Sequence, residues 1–153
     1  MSSLRQIEQC PVSGATGRRV DVQTVKALLT ASALRRLRLV DHRFCPDPRC
    51  HVVYFGADGT TYARNDLRVP VWQKEPFGDR MVCYCFGESE RGIRTELEAS
   101  GHSAAVARIR EHIAAGRCAC ELRNPQGRCC LGDVTAAVTR VTQAIDHAVR
   151  SGS

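Results

Sequence analysis

Lysine is nearly absent from this chain. Of its 22 basic residues only Lys26 and Lys74 are lysine, and the other 20 are arginine. Aromatic residues are scarce at 5%, and all eight lie between Phe44 and Phe86, so packing beyond Phe86 must rely on Val, Ile, Leu and Ala. No apolar run approaches the roughly 18 residues that a membrane helix needs, which argues against membrane insertion. The opening MSSLRQIEQC lacks an apolar segment of the secretory kind, so a cytoplasmic location is expected. No G-x-S-x-G, Walker A or H-E-x-x-H pattern occurs, and the five histidines (42, 51, 102, 112 and 147) form no shared ligand motif. His102, His112 and His147 read as solvated positions. The expectation is a protein that is not an enzyme.

What is present is sulfur. Nine of the 153 residues are cysteine, and without export that points to metal or redox chemistry before structural disulfides. The 43% hydrophobic content excludes a disordered chain. The stretch Arg68 to Arg80 contains Pro70, Pro76 and Gly78 and reads as an extended linker. A boundary near residue 77 divides the chain into segments 1–77 and 78–153. The first carries 12 Lys+Arg against 7 Asp+Glu, the second 10 against 9. Modules below roughly 70–80 residues seldom hold together without a staple, and both segments contain candidate staples.

The first segment reads as β-rich. Thr30 to Leu37 predicts one short helix capped by Thr30, His51 to Phe55 a strand, Ala57-Asp58-Gly59 a hairpin turn, and Thr60 to Ala63 the returning strand. The second segment reads as three helices. One follows Ser89 and stops at Gly101. One follows Ser103 and stops at Gly116. One follows Asp133, with Val134, Val138, Val141, Ile145 and Val149 along a single face. The fold class is therefore α+β, a small zinc-ribbon- or treble-clef-like module followed by a three-helix module.

The cysteines sort by spacing. Cys45 and Cys50 form C-x4-C in FCPDPRC, and Cys10 stands alone in CPVSG. A knuckle of this kind before an apolar strand suits zinc, which takes four Cys or His ligands at tetrahedral corners. Cys10, Cys45 and Cys50 supply three. The position three residues beyond Cys10 is Ser13, a poor zinc ligand, so the fourth corner falls to His51, His42, Asp47 or water. Cys83 and Cys85 form C-x-C, as do Cys118 and Cys120, and Cys129 and Cys130 are adjacent. Four thiolates, two per iron, hold a [2Fe–2S] cluster. The pair Cys83/Cys85 precedes the first helix and Cys129/Cys130 the third, where free N–H groups favour an anionic cluster. Only two of the four late cysteines are needed. Adjacent side chains diverge, so one of Cys129 and Cys130 is a spare.

The segments FCPDPRCHVVYF, VCYCFG and NPQGRCCLGD resemble the zinc- and [2Fe–2S]-binding N-terminal domain of CopZ-type copper chaperones, a family of iron–sulfur metallochaperones. The second segment alone is similar to bacterioferritin-associated ferredoxin domains. The resemblance implies a [2Fe–2S] cluster on Cys83, Cys85, Cys120 and Cys130, leaving Cys118 and Cys129 as extra thiols for a soft metal. It implies Zn2+ on Cys10, Cys45 and Cys50, with a fourth cysteine expected where Ser13 stands. The M-x-C-x-x-C copper site of the family's ferredoxin-like domain has no counterpart, because no C-x-x-C occurs in this sequence.

The leading expectation is a zinc- and [2Fe–2S]-binding accessory of metal trafficking, copper first, whose cluster gives one-electron redox or sensing. Its partner would be a metal-trafficking or redox protein such as a copper-transporting ATPase. The alternative is a small [2Fe–2S] electron carrier or iron-release partner. A third reading, nucleic-acid binding through Arg18-Arg19 and Arg35-Arg36-Arg38, is less favoured, since arginines on a solvated helix face explain the same pattern.

Overall fold

The structure, a computed structural model, describes residues 7–151. It is mixed α+β, as the sequence led us to expect, and divides into two compact units. The first comprises residues 7–75 together with Glu121–Arg128. The second comprises Pro76–Cys120 together with 129–151.

The first unit is built on four antiparallel strands in sequential order: β1 (Arg18–Val20), β2 (His42–Phe44), β3 (Val52–Gly56) and β4 (Thr61–Ala63). Arg18 lies opposite Phe44, and Phe44 opposite Tyr54. Strand β3 is buried along its whole length, which is why its sequence is a continuous VVYF run and not an alternation. The turn at Ala57-Asp58-Gly59 forms as expected, with Gly59 at φ 90° and its N–H on the Gly56 carbonyl.

Between β1 and β2 run two short helices, α1 (Val22–Leu28) and α2 (Ala31–Leu34). Asp21 and Thr30 cap them, each side chain accepting from a backbone N–H of the first turn. The sequence predicted a helix on to Leu37. It ends at Leu34, and Arg35, Arg36 and Arg38 are exposed. The core of this unit is Val20, Val25, Leu29, Ala33, Phe44, Val53, Tyr54, Tyr62, Leu67 and Val71.

The predicted extended linker contains a 3-10 turn at Trp72–Lys74, with Val71 and Lys74 buried. Pro70 and Pro76 bracket a stretch just long enough for one such turn. The late segment Glu121–Arg128 is tied into the first unit by side chains. The Thr24 hydroxyl donates to the Glu121 carbonyl, the Tyr54 hydroxyl to the Pro125 carbonyl, and Arg18 Nη1 to Gln126 Oε1 at 3.3 Å.

The second unit pairs β5 (Met81–Cys83) with β6 (Glu88–Ser89) and adds α3 (Glu90–Ser100), α4 (Ala105–Ala114), and α6 (Leu131–Ser151). A short α5 (Cys120–Arg123) begins at Cys120. Ser89 caps α3 by accepting from the Gly92 N–H, and Gly101 ends it at φ 78°. Helix α6 starts before the expected cap Asp133, because the Val134 N–H already reaches the Cys130 carbonyl at 2.8 Å. Its apolar face buries Val134, Ala137 and Val141 and runs out beyond Ile145, leaving Val149 69% exposed. Arg108 on α4 binds two carboxylates at once, with Nε on Glu88 Oε1 at 2.7 Å and Nη1 on Glu96 Oε2 at 2.8 Å. No helix among the described residues is long and apolar enough to cross a membrane.

Candidate metal centres

The first thiol cluster is assembled from three backbone segments. In Cys10-Pro11-Val12-Ser13-Gly14 the chain folds back on itself: the Gly14 N–H donates to the Cys10 carbonyl and the Cys10 N–H to the Ala15 carbonyl, both at 2.8 Å. Gly14 sits at φ 77°, the left-handed region that a residue without Cβ enters freely. Cys45 leaves β2 and Cys50 enters β3, and the loop between them closes on Asp47, whose carbonyl accepts from the Cys50 N–H at 3.2 Å.

The three sulfurs lie within 4.8 Å of one another, and all three residues are buried. Cys10 Sγ and Cys50 Sγ are 3.8 Å apart. Zinc–sulfur bonds of about 2.3 Å at tetrahedral angles put two thiolates about 3.8 Å apart, so this edge fits a zinc ion. His51, expected as a possible fourth ligand, is exposed and outside the group. His42 is buried, but its Nδ1 is engaged with the Val40 carbonyl at 2.8 Å and the ring stands outside the group too. What reaches the thiols instead is Ser13, whose Oγ is 3.4 Å from Cys45 Sγ. Burial pushes the Cys10 thiol up, but hydrogen bonds from Ser13, Val12 and Cys45 outweigh it and bring the group to about 7. Burial holds Cys45 above its ordinary value.

Sequence reasoning missed Lys74. Its ammonium is buried at 6% exposure and donates to the Asp47 carbonyl at 2.7 Å and the Cys50 carbonyl at 3.0 Å. Desolvation lowers its pKa, and the neighbouring Cys45, Cys50, Asp47 and Cys10 oppose that. A lysine in a proline-flanked stretch gives no local sign of this role; its being one of only two in the chain is the nearest thing to one.

The second thiol cluster lies in the core of the second unit. Cys83 ends β5, Cys85 follows in the turn, Cys120 opens α5, and Cys130 immediately precedes α6. Cys85 Sγ is 3.7 Å from Cys120 Sγ, and Cys130 is hydrogen-bonded to both Cys83 and Cys120. The four expected thiols are therefore linked in the order Cys83, Cys130, Cys120, Cys85, and Cys83 and Cys130 stand outside the group of thiols, Cys85, Cys118 and Cys120, that lie within 4.8 Å of one another. An elongated row of four thiols suits two iron atoms with two thiolates each. The Ala119 N–H donates to Cys85 Sγ at 3.3 Å, a contact of the type that tunes a cluster's potential.

Accepting a bond from the Cys130 thiol brings Cys83 to about 7 and Cys120 to about 5, while Cys130, the donor, is pushed far up. Burial pushes Cys85 up to about 12. Cys118, expected as an extra thiol near the cluster, has its sulfur 3.2 Å from Cys120 Sγ, and Cys85, Cys118 and Cys120 all lie within 4.8 Å of one another. Cys129 and Cys130 diverge, Cys129 exposed and Cys130 buried. His112 is not a solvated residue. Its ring stacks on Phe86 at 3.8 Å, next to Cys85.

Residues 7–68 match the family model of the CopZ zinc-binding domain. The copper chaperone CopZ of Archaeoglobus fulgidus is 32% identical over 123 residues, which are 80% of this chain and 57% of that protein. The X-ray structure of the A. fulgidus CopZ N-terminal domain matches with a TM-score of 0.68 at 31% identity, covering 84% of this chain and 95% of that one. The chain belongs to the CopZ N-terminal domain family. It spans little more than half the length of the curated copper chaperone it matches.

Proposed function

We propose that this protein is a non-catalytic, cytoplasmic accessory of metal trafficking, with copper as the cargo. Its first unit binds Zn2+ through Cys10, Cys45 and Cys50, and its second unit binds a [2Fe–2S] cluster through Cys83, Cys85, Cys120 and Cys130. The zinc is a staple for a small β-rich unit, of a kind that contributes on the order of 10 kcal/mol to folding. When bound, the cluster would supply a one-electron couple at the protein's core.

The observation that supports the cluster reading is the row of four thiols, Cys83, Cys130, Cys120 and Cys85, before the start of α6. The trafficking role rests on the likeness to a copper chaperone. Around the cluster the chain's own residues hold and shield it: the Ala119 N–H faces Cys85, and the Phe86–His112 stack stands beside it. The partner would be a protein that takes up the metal ion or the electron, such as a copper-transporting ATPase. An electron carrier with no soft-metal affinity is the competing reading, favoured by the deep burial of Cys83, Cys120 and Cys130. A redox midpoint titration run beside a Cu(I) titration separates the two, since the carrier would show a reversible couple and no copper uptake.

A further inference from the structure

We propose that the Ser13 corner of the first thiol cluster is an open coordination position, through which an external thiolate enters and the metal ion is exchanged. The inference rests on metal binding at Cys10, Cys45 and Cys50 and concerns the corner they leave.

The three sulfurs are buried, at 2%, 0% and 6% exposure for Cys10, Cys45 and Cys50, whereas Ser13 is exposed. The one corner without a thiolate is thus the one that faces solvent. Ser13 Oγ is turned toward the sulfurs, 3.4 Å from Cys45 Sγ, and accepts from the Ala15 N–H at 3.2 Å. It is in place to touch a bound metal ion, but a neutral hydroxyl is a far weaker ligand for a thiophilic ion than a thiolate. Zinc sites with three protein ligands and a weak or absent fourth are the ones that exchange that position. An open depression of about 500 Å3 lies along the Cys10 turn, with Cys10, Pro11, Gly14 and Thr16 in its wall.

Charge points the same way. Three thiolates around a dication sum to one negative charge, and the Lys74 ammonium beneath the Asp47–Cys50 loop cancels it. A fourth thiolate arriving at the open corner then brings the site to one net negative charge and not two. In the step itself an incoming thiol gives its proton to solvent and its sulfur bonds the metal. The Ser13 oxygen leaves with its proton, and no electron changes hands. A thiolate so bound is the first of the ligands needed to draw the ion away.

Cobalt(II) reports this directly, because its visible bands follow the number of bound thiolates. The probe is 2-mercaptoethanol, added to the cluster-loaded full chain carrying Co(II); the signal that Cys45→Ser removes is assigned to the first cluster. In the wild type the thiol should shift and intensify the bands toward the spectrum of Ser13→Cys, whose own spectrum should not respond. Ser13→Ala should respond as the wild type does, and Ser13→Cys should release zinc to a chelator more slowly than either. A wild-type spectrum indifferent to thiol, or equal zinc release from wild type and Ser13→Cys, would overturn the open corner while leaving the metal site standing. Failure of both proteins to bind cobalt or zinc would overturn the metal site and the open corner together.

Discussion

The Lys74 ammonium lies 3.0 Å from the carbonyl oxygen of Cys50, inside the first unit and under the loop that carries two of its three thiols. That contact fastens the C-x4-C loop and places a positive charge beside a cluster of thiolates. Lys74→Met keeps the bulk of the side chain and removes the charge and both hydrogen bonds. Hydrogen bonds from a charged group contribute roughly 1.5–3 kcal/mol. The substitution should lower zinc affinity in a competition titration and lower the melting temperature of the zinc-loaded protein. Unchanged zinc affinity would mean that Lys74 only fills space.

The late cysteines should separate by burial. Cys120→Ser and Cys130→Ser each remove a buried member of the thiol row and should abolish the visible absorption of the anaerobically purified protein. Cys129→Ser removes an exposed thiol and should leave that absorption intact. Cys118→Ser should also keep the cluster, and combining it with Cys129→Ser should reduce uptake of a soft ion such as Hg(II). Retained cluster absorption in Cys130→Ser would mean that another thiol, Cys118 first, serves as a ligand.

Acid should weaken the second unit through Glu96. Hydrogen bonds from Arg108 hold its carboxyl down to about 2, with a smaller contribution from Ser103. Its folded pKa lies below the unfolded value of about 4.3, so the stabilisation is complete above that value and disappears as pH falls toward 2. Arg108 is 39% exposed at its side chain, so solvent screens the pair and about 1 kcal/mol is expected. Glu96→Gln should therefore melt below the wild type at pH 6, and the two curves should converge as pH falls to about 2. A gap that does not change with pH would exclude the Glu96–Arg108 pair as its source.

The strand-borne Tyr54 should anchor the stretch that joins Cys120 to Cys129. Its hydroxyl donates to the Pro125 carbonyl, and Tyr54→Phe leaves that buried carbonyl short of a donor, a loss of about 1–2 kcal/mol. Gly127→Ala should be worse for a different reason: Gly127 has φ 68°, and a Cβ there would stand 3.0 Å from Thr24 Oγ1. Both variants should speed amide exchange at Gln126 and Arg128. Wild-type exchange rates would show that the segment is held by other contacts.

Much of the second unit was legible because its signals are local. Ser89 caps α3 and Gly101 ends it within a turn of the residues they serve, and the apolar period of α6 runs unbroken from Val134 to Ile145. The sulfur pairs that spacing brings together, Cys45 with Cys50, were legible for the same reason. The missed features are contacts between distant residues. Nothing in ELRNPQGR marks a segment that folds with strands some seventy residues earlier through Tyr54. Nothing in WQK marks Lys74 as the buried cation of a thiol site. The β1–β2 pairing places Arg18 and Arg19 in a strand, where their charge suggested only a surface patch. Ser13 was noticed as a departure from an expected cysteine, but only the fold shows its hydroxyl at the thiols while His51 faces solvent.

The proposed function stands on one zinc ion and one [2Fe–2S] cluster held in separate units. Zinc, iron and acid-labile sulfide, measured per chain on anaerobically purified protein together with its visible spectrum, test it most directly. One zinc, two iron and two sulfide are expected, with the charge-transfer bands of a [2Fe–2S] centre. Protein with no labile sulfide and several zinc ions spread over both thiol clusters would contradict it.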